Sequence, residues 1–459
     1  MDDLEKFVAK TYLAVLERPA DPSGLKVWVD MIRLRKIKKE DLVEELKTHQ
    51  EYKNLVTLKN SGVATVASPG PRFERATATV TGCVIAGHNI DAADNRGRKV
   101  AFIMENFNFY SGGRYLSFMI AIAFQEIGFD VTLFTDKIPS EIPYINNDDF
   151  KEYKKPRIEY VPDLNLLSLK GYDMYVGAPT DGCVIAHREA IKNKKPYIAF
   201  LFDVPPFMKK YSDLDKGWVN HPIWENVSQT LKDADLIFTF AKLLIPYIRE
   251  FGKLESINKI KVFHPPINSR VCEKSPGGAK KRQIFMANRF APNKHWDHLF
   301  EAVSKIKNPP RIIAITSQQR AVNELAMVYN IPHLVDYNVS CSDSIKFKLI
   351  KESLAVINPS SYEGLSMSAS EATVSNTPCI LYEFPIMTDI FGEKGMIYAK
   401  YLDPEDLKGK IELILENEHI RAAKEAEAMS VGHLFTFDNF TEELFEELFI
   451  CGLVERSMR

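Results

Sequence analysis

The sequence lacks the marks of several protein classes. Its six cysteines are scattered over 459 residues without a C-x-x-C pair, which argues against a zinc or disulfide framework and favours a reducing compartment. The formal net charge is only −2, so the strongly basic balance of a dedicated nucleic-acid binder is missing. The apolar runs are too short to span a bilayer, and the acidic start lacks a signal-peptide core. We therefore expect a cytoplasmic protein, at most peripheral to the inner face of the membrane.

What is present is the composition of a multidomain globular chain. A hydrophobic content of 45% with 26% charged residues is ordinary for folded domains, and 459 residues exceed one core. A stretch rich in Gly, Ser, Ala, Thr and Pro predicts a linker, and Phe263–Asn268 predicts a boundary between two later domains. The predicted segments are a helical module (1–57), a linker (58–97), an α/β domain (98–264), a second α/β domain (265–430) and a C-terminal helix that packs back on the first α/β domain (431–459).

The predicted helical module carries its own pattern. The stretch Tyr12–Trp28, YLAVLERPADPSGLKVW, resembles a small helical domain of unknown function that recurs in bacterial surface and polysaccharide proteins. The resemblance implies protein or membrane contact rather than chemistry. The basic run Arg33–Lys39 is compatible with contact to anionic lipid, whereas a solvated helix face is the more frequent explanation of such a run.

The first α/β domain opens with a βαβ pattern. An apolar strand at Val100–Met104 is followed by Gly112 and Gly113, then by helical spacing from Leu116 to Ile127. The two glycines predict a turn at the carboxyl end of the strand. They do not form G-x-G-x-x-G, so a dinucleotide site is not expected. A tight turn without a ligand is the plain alternative.

The second α/β domain contains two groups of charged residues at strand ends. Arg289 and Lys294 follow a predicted strand at Gln283–Ala287. Glu363 and Glu371 are eight residues apart, between a strand that ends near Asn358 and a second strand. A loop at the carboxyl end of a strand, leading into a helix, is a common anion and ligand site. Solvated charges on ordinary surface helices are the alternative.

Together these stretches resemble a known enzyme family. EGLSMSASE, followed by TPCI, resembles the E-x7-E signature of retaining glycosyltransferases of the glycosyltransferase-4 family, and NRFAPNK resembles their G-R-L-x-x-x-K element. The resemblance implies an α/β chain with two facing Rossmann-like domains, the GT-B fold, preceded here by a small all-α module. It also implies a metal-independent retaining enzyme without a cofactor. Such an enzyme moves a sugar from a nucleotide diphosphate sugar to a hydroxyl acceptor, in bacterial surface polysaccharide or glycoconjugate assembly.

The resemblance also assigns roles to individual residues. It implies that Glu363 contacts hydroxyls of the donor sugar, that Glu371 contacts the nucleotide ribose, and that Arg289 and Lys294 hold the diphosphate. The implied acceptor is a glycan, lipid-linked or protein-linked hydroxyl. The implied donor-binding set is Gly112, Gly113, Asn338, Gly364, Leu365, Ser366 and Glu371.

Several positions depart from the family pattern. Asn288 and His295 stand where relatives carry glycine, and Ser366 stands in a motif that is usually Gly-Leu-Pro, at a cost in backbone freedom. Asp203 follows a strand after which many relatives carry histidine, and His221 lies in a Trp-containing loop; a role for either residue is left open. The departures keep a non-catalytic scaffold as an alternative, beside a sugar phosphorylase or an epimerase of the same fold.

Overall fold

The computed structural model describes residues 97–107, 112–137, 148–211, 216–338 and 342–454, and isolated positions before residue 90. The isolated positions are 4, 7, 8, 11, 29, 32, 42 and 43, all helical, and 84, 85, 88 and 89, which are in strands. The chain forms two compact units, Met1–Val80 and Thr81–Arg459. The predicted module and linker therefore lie almost entirely outside the described residues, and their boundaries stay predictions.

The larger unit begins with a short antiparallel pair and then forms a seven-stranded parallel sheet. The parallel order is β5-β4-β3-β6-β7-β8-β9. The strands are β1 (Val84–Ile85), β2 (His88–Asn89), β3 (Lys99–Ile103), β4 (Asp130–Thr135), β5 (Arg157–Tyr160), β6 (Met174–Gly177), β7 (Tyr197–Phe200), β8 (Leu236–Thr239) and β9 (Ile260–Val262). The central strands are buried along their whole length, as expected for parallel strands covered on both faces.

Helices cover this first sheet. They are α1 (Gly112–Glu126), α2 (Asp181–Asn193), α3 (Pro205–Tyr211), α4 (Lys216–Val219), α5 (Ile223–Thr230) and α6 (Ile245–Phe251). The predicted βαβ unit is observed as β3, α1 and β4, with Lys99 to Ile103 in parallel register with Asp130 to Phe134.

A second sheet of six parallel strands follows. Its order is β12-β11-β10-β13-β14-β15. The strands are β10 (Gln283–Ala287), β11 (Arg311–Ile315), β12 (Val335–Asn338), β13 (Ala355–Asn358), β14 (Cys379–Tyr382) and β15 (Met396–Ala399). β10 and β13 are neighbours in the sheet, so the residues that follow these two strands meet at one edge.

The remaining helices belong to the second sheet or return to the first. They are α7 (Ser269–Lys274), α8 (Trp296–Ser304), α9 (Gln319–Val328), α10 (Asp343–Glu352), α11 (Met367–Val374), α12 (Pro385–Phe391), α13 (Pro404–Glu416), α14 (Glu418–Gly432) and α15 (Phe437–Ile450). One-turn 3-10 helices lie at Asp148–Phe150, Leu164–Leu166, Leu231–Asp233, Lys242–Leu244, Pro292–Lys294, Pro332–Leu334 and His433–Phe435.

The C-terminal helix α15 packs on the first sheet domain. Phe437, Phe440 and Leu444 are fully buried and share a core with Phe118 and Phe124 of α1. Their spacing of three and four residues forms one apolar face of the helix. Within the described residues, no helix combines the length and the hydropathy that a membrane crossing requires.

Candidate active site

The two sheet domains make close contact at the loop that follows β13. A Cβ atom added to Gly364 would lie 2.6 Å from the carbonyl oxygen of Phe202 and 3.4 Å from the Asp203 carboxylate. A side chain at this position would therefore collide with the backbone of the first domain. The sequence requires glycine at position 364 because two backbones approach each other here.

The glycines at the start of α1 lie at the same junction. A Cβ atom on Gly112 would lie 3.1 Å from Met367, and one on Gly113 would lie 3.3 Å from the ring of Phe202. Leu365 is half-buried and packs against the core of the first domain. The structure thus brings Gly112, Gly113 and Leu365 to the place where the loop after β13 meets the first sheet.

Lys294 and Glu363 form an ion pair at the edge of the second sheet. The Lys294 Nζ lies 2.5 Å from Glu363 Oε1, and the two side chains are 11% and 14% exposed. The Asn358 amide also donates to Glu363 Oε1, at 3.3 Å. Lys294 ends the 3-10 turn after β10, and Glu363 follows β13. The ion pair therefore forms because β10 and β13 are adjacent strands of the sheet. The structure therefore joins the two charged groups that the sequence placed 69 residues apart.

Asn358 is a functional candidate that the sequence analysis did not single out. Its Oδ1 accepts hydrogen bonds from Asn288 at 3.1 Å and from Ser360 at 2.6 Å, and its Nδ2 donates to Ser366 at 2.6 Å. The Ser366 hydroxyl also caps α11 by accepting from the Ala369 amide. A polar residue at the carboxyl end of an apolar strand was the available signal. The hydroxyl of Ser366 is thus engaged inside the protein, and its predicted donor contact stays a prediction.

The side chain of Arg289 differs from that of Lys294 in having no ion-pair partner among the described residues. It is exposed, and its guanidinium forms no hydrogen bond or ion pair with any residue that the structure describes. Its backbone carbonyl accepts from the Trp296 indole at 3.2 Å, which fixes the main chain of the loop. The loop after β10 therefore presents one unpaired cation and one paired cation.

Glu371 occupies a deeper position than Glu363. It lies on α11, is 6% exposed and accepts from the Lys346 ammonium at 2.7 Å. Lys346 also contacts Asp343 at 2.7 Å. Burial raises the pKa of Glu371, and the charge of Lys346 limits the rise. Burial would likewise raise the pKa of Asp343, but the charge and hydrogen bond of Lys346 hold it below its usual value.

Residues of the first domain, together with Asn268 at the predicted domain boundary, reach this buried group. The Tyr115 hydroxyl on α1 donates to Asp343, and Asn268 Nδ2 donates to the same carboxylate at 2.9 Å. Tyr153 donates to Asn268 at 2.7 Å, and Asp149 accepts from the amide of Asp343 at 2.7 Å. The sequence analysis missed these residues, since contacts across 228 and 194 positions leave no local pattern.

Asp203 lies at the junction. Its carboxylate accepts from the Tyr362 hydroxyl and from the Val204 amide, the latter at 2.8 Å. Burial raises the pKa of Asp203 to about 7, and the charge of Glu363 adds to the rise, against the effect of the two hydrogen bonds. Asp203 is thus an acidic group at the junction that is not stabilised by a lysine.

His221 is placed differently. It is exposed, its Nδ1 accepts from the Ile223 amide at 3.3 Å, and its ring lies 5.8 Å from that of Trp218. These contacts belong to its own turn, so the histidine has a local structural role in this conformation.

Asn338 ends β12, in register with Ile315 of β11. The adjacent Tyr337 donates to Asn323 at 3.3 Å. Residues 339–341 lie outside the described residues. The surroundings of Asn338, which the resemblance places in the donor-binding set, are therefore only partly described.

Three side chains near Lys294 are metal-ligand types. The ligand atoms of His295, Asp297 and His298 lie within 4.8 Å of one another. The two imidazole rings stack with centroids 4.2 Å apart and planes 20° apart, so their in-plane lone pairs do not point at one place. His298 Nδ1 is also hydrogen-bonded to the Tyr382 hydroxyl at 2.7 Å. A metal ion would require one ring to turn.

Comparison of the structure with solved proteins defines the class of fold. HepE of Anabaena, solved with UDP and glucose, superposes with a TM-score of 0.63 at 11% identity, over 77% of this chain and 100% of that chain. Sucrose-phosphate synthase of Thermosynechococcus elongatus gives 0.58 at 14% identity, over 77% and 99%. WaaG, a glycosyltransferase of lipopolysaccharide biosynthesis, gives 0.54 at 12% identity, over 76% and 99%. The predicted fold class, two Rossmann-like α/β domains in the GT-B arrangement, is confirmed.

Comparison of the sequence with family models adds the class of domain. Residues 272–430 match the family described as Glycosyl transferases group 1. The match spans both charged elements of the second sheet domain, from Arg289 to Glu371. Among curated proteins, no relative matches. The fold and this domain together support glycosyl transfer as the class of activity.

Proposed function

We propose that the protein is a retaining glycosyltransferase of the glycosyltransferase-4 type. It moves a sugar from a nucleotide diphosphate sugar to a hydroxyl acceptor in bacterial surface polysaccharide or glycoconjugate assembly. The observation that carries the proposal is the Lys294–Glu363 pair, 2.5 Å apart at the edge of the second sheet, where that sheet meets the first domain. The match of residues 272–430 to glycosyl transferases and the UDP complex of HepE agree with it.

In the proposed site, the Lys294–Glu363 ion pair occupies the position that the donor takes when it binds. Without ligand, Lys294 and Glu363 form an ion pair at a position that is largely removed from water. When a diphosphate binds, the ammonium turns to the phosphate oxygens, and the carboxylate becomes free to accept hydrogen bonds from sugar hydroxyls. Arg289, exposed and unpartnered among the described residues, supplies the second cation.

The proposed chemistry needs these cations most at the transition state. As the bond from the sugar to the diphosphate breaks, negative charge grows on the leaving phosphate oxygen, and Lys294 and Arg289 stabilise it. We assign no metal ion to this step. A leaving phosphate oxygen that accepts the proton of the acceptor hydroxyl delivers the acceptor to the same face of the sugar. The configuration at the anomeric carbon is then retained.

The acceptor and the cellular setting are parts of the same proposal. We propose a glycan, lipid-linked or protein-linked hydroxyl as acceptor, bound on the side of the first domain. We also propose a cytoplasmic protein whose helical module, residues 1–57, mediates peripheral membrane or protein contact. This module lies outside the described residues apart from isolated positions.

The test is turnover of a panel of nucleotide diphosphate sugars by the full chain, with and without EDTA. We expect one donor to be consumed, insensitively to EDTA, with the product anomer of the same configuration as the donor by NMR. Lys294→Ala and Glu363→Ala should both abolish most of this turnover. Full turnover in both variants would show that the active site is elsewhere.

A non-catalytic scaffold is the second candidate, and one observation favours it. Each glutamate of the motif is already paired with a lysine, Glu363 with Lys294 and Glu371 with Lys346. A scaffold predicts no nucleotide binding, or binding without turnover. A phosphorylase or an epimerase of the same fold is separated by product analysis, because it consumes phosphate or needs no acceptor.

A further inference from the structure

A buried chain of charged and hydroxyl groups connects Glu371 with the first domain. Lys346 Nζ lies 2.7 Å from Glu371 and 2.7 Å from Asp343, and all three side chains are at most 16% exposed. Asp343 in turn accepts from the Tyr115 hydroxyl, which belongs to α1. The Lys346 ammonium also lies 5.6 Å from the centroid of the Tyr115 ring. One lysine thus stands between two buried carboxylates.

The arrangement makes Lys346 indispensable for the charge of both carboxylates. A buried carboxylate without a compensating cation shifts toward its neutral, protonated form. Two carboxylates that face each other across a removed lysine would also repel each other. A protonated Glu371 would present one hydrogen-bond donor and fewer acceptor sites. It would therefore bind two adjacent ribose hydroxyls less well, because these hydroxyls donate to acceptors.

The first domain determines where Asp343 lies. Its carboxylate accepts from Tyr115 and Asn268, and its amide donates to Asp149. Tyr115 is three residues from Gly112, and a Cβ atom added to Gly112 would lie 3.1 Å from Met367 of the second domain. A change in the contact between the domains would therefore reach Glu371 through Asp343 and Lys346.

We propose that Lys346 is a positioning residue that keeps Glu371 ionised and oriented toward the ribose hydroxyls of the donor, and that Tyr115 makes this orientation depend on contact between the two domains. The proposal rests on the proposed function and adds to it a residue outside the family motif. It assigns to Lys346 and Tyr115 a role in donor affinity rather than in the chemical step.

The ionisable groups around Glu371 define the expected pH dependence. They are Lys346 and Asp343 on α10, Tyr115 on α1, the thiol of Cys272 on α7, and Asp149, whose carboxylate accepts from the start of α10. Lys346 is the one cation in this set. Its loss should raise the pKa of Glu371 further, so that nucleotide affinity falls at low pH and recovers as the pH rises.

The experiment measures the dissociation constants of UDP, GDP, ADP and TDP by calorimetry for the full-length chain, between about pH 6 and pH 8.5. For the diphosphate that binds best, we expect Lys346→Met to weaken affinity by about tenfold or more at the acidic end, as for a lost charged hydrogen bond. The loss should shrink as the pH rises. Lys346→Arg should restore an affinity that does not vary with pH.

Lys351 on the same helix supplies a matched control. Its ammonium binds the carbonyl oxygens of Cys272 and Ser275, at 2.5 and 3.0 Å. Lys351→Met removes a comparable half-buried cation, so it should lower the melting temperature without giving the nucleotide affinity a pH dependence. Tyr115→Phe should weaken affinity several-fold at every pH, since it disturbs Asp343 without removing a charge.

The outcomes separate the two proposals. If the unaltered protein binds no nucleotide diphosphate, the proposed function fails, and this inference fails with it. If the unaltered protein binds one and Lys346→Met binds it equally well at every pH, the inference is overturned and the transferase proposal stands. Weakened affinity without pH dependence, as in a merely destabilised protein, would also overturn it. When Lys346→Met is combined with Glu371→Gln, the nucleotide affinity should no longer depend on pH.

Discussion

The two lysine–glutamate pairs of the second domain share one motif but differ in their surroundings. Lys294 and Glu363 meet at the domain junction with side chains 11% and 14% exposed, and the Asn358 amide also donates to the carboxylate. Lys346 and Glu371 are buried to a similar degree, but their lysine also contacts a second carboxylate, Asp343, which is bonded to the first domain. A pair with one neutral neighbour can open when a ligand offers a better partner. A pair locked into a network of charges is suited to holding a fixed orientation.

The largest expected difference between the pairs concerns the rate. Lys294→Ala should lower kcat by about a hundredfold to a thousandfold, because it removes a charge that stabilises the leaving group. Lys346→Met should leave kcat within a few-fold and raise KM. Steady-state kinetics of the two variants with the same donor measures both values. Equal losses of kcat in both variants would remove the distinction between the pairs.

The next expected difference concerns stability. Lys346→Met should lower the free energy of unfolding by about 3 kcal/mol, because it leaves two buried carboxylates without a cation. Lys294→Ala should cost less, about 1 kcal/mol, since it leaves one carboxylate rather than two without its lysine, and Glu363 retains the hydrogen bond from Asn358. Denaturant unfolding of both variants provides the comparison. A larger loss for Lys294→Ala would contradict the difference in the number of carboxylates that each lysine neutralises.

A substitution at Gly364 tests the contact between the two sheet domains beside the lysine–glutamate pairs. Gly364→Ala places a methyl group 2.6 Å from the Phe202 carbonyl oxygen, so the loop after β13 must move away from the first domain. We expect a loss of about 2 kcal/mol in stability, as for overpacking of a close contact. Gly409→Ala is the control, because no described atom outside its chain neighbours and its own helix backbone lies within 4 Å of the added Cβ there. Equal stability of the two variants would show that the domains are not in contact at this loop.

Asp203 is a carboxylate of the junction that accepts hydrogen bonds from Tyr362 and Val204 and pairs with no lysine among the described residues. Its pKa is raised to about 7 in the folded protein, so the folded state binds the proton more tightly than the unfolded chain. Stability should therefore be lost as the pH rises from about 4 through 7, by about 2 kcal/mol for a partly exposed group. Asp203→Asn should remove this loss, as measured by thermal unfolding across that range. An unchanged pH profile would show that Asp203 is ionised throughout.

The smallest expected effect concerns the unpaired cation. Arg289→Ala should lower kcat/KM for the donor by about tenfold, because an exposed guanidinium contributes less to diphosphate binding and leaving-group stabilisation than a buried cation does. High salt should narrow the difference between the variant and the unaltered protein. Kinetics at two ionic strengths tests this, and a salt-independent effect would argue against a phosphate contact.

The sequence predicted those parts of the site that are encoded locally. Arg289, Lys294 and Glu363 were predicted to follow two strands, and these strands, β10 and β13, are adjacent in the second sheet, so the three residues lie at one edge. Gly364 was predicted as a donor contact, and the structure adds its role in the domain junction.

The remaining parts depend on contacts between distant positions. Lys346 lies on a helix whose sequence shows only an amphipathic pattern, and Tyr115 meets Asp343 across 228 positions. Nothing in the local sequence distinguishes such a lysine from a solvated one. The hydrogen bonds of the Ser366 hydroxyl were likewise not predictable from the local sequence, because its partners, Asn358 and an amide of α11, come together only in the folded chain.

The most direct test of the account is a thermal-shift panel of UDP, GDP, ADP and TDP with CMP as control, with and without EDTA. A ligand that binds only the folded state raises the melting temperature. We predict that one diphosphate raises it in the unaltered protein, equally with EDTA, and that the increase is lost in Lys294→Ala. No increase with any nucleotide would contradict a donor site in the second domain and leave the scaffold as the better explanation.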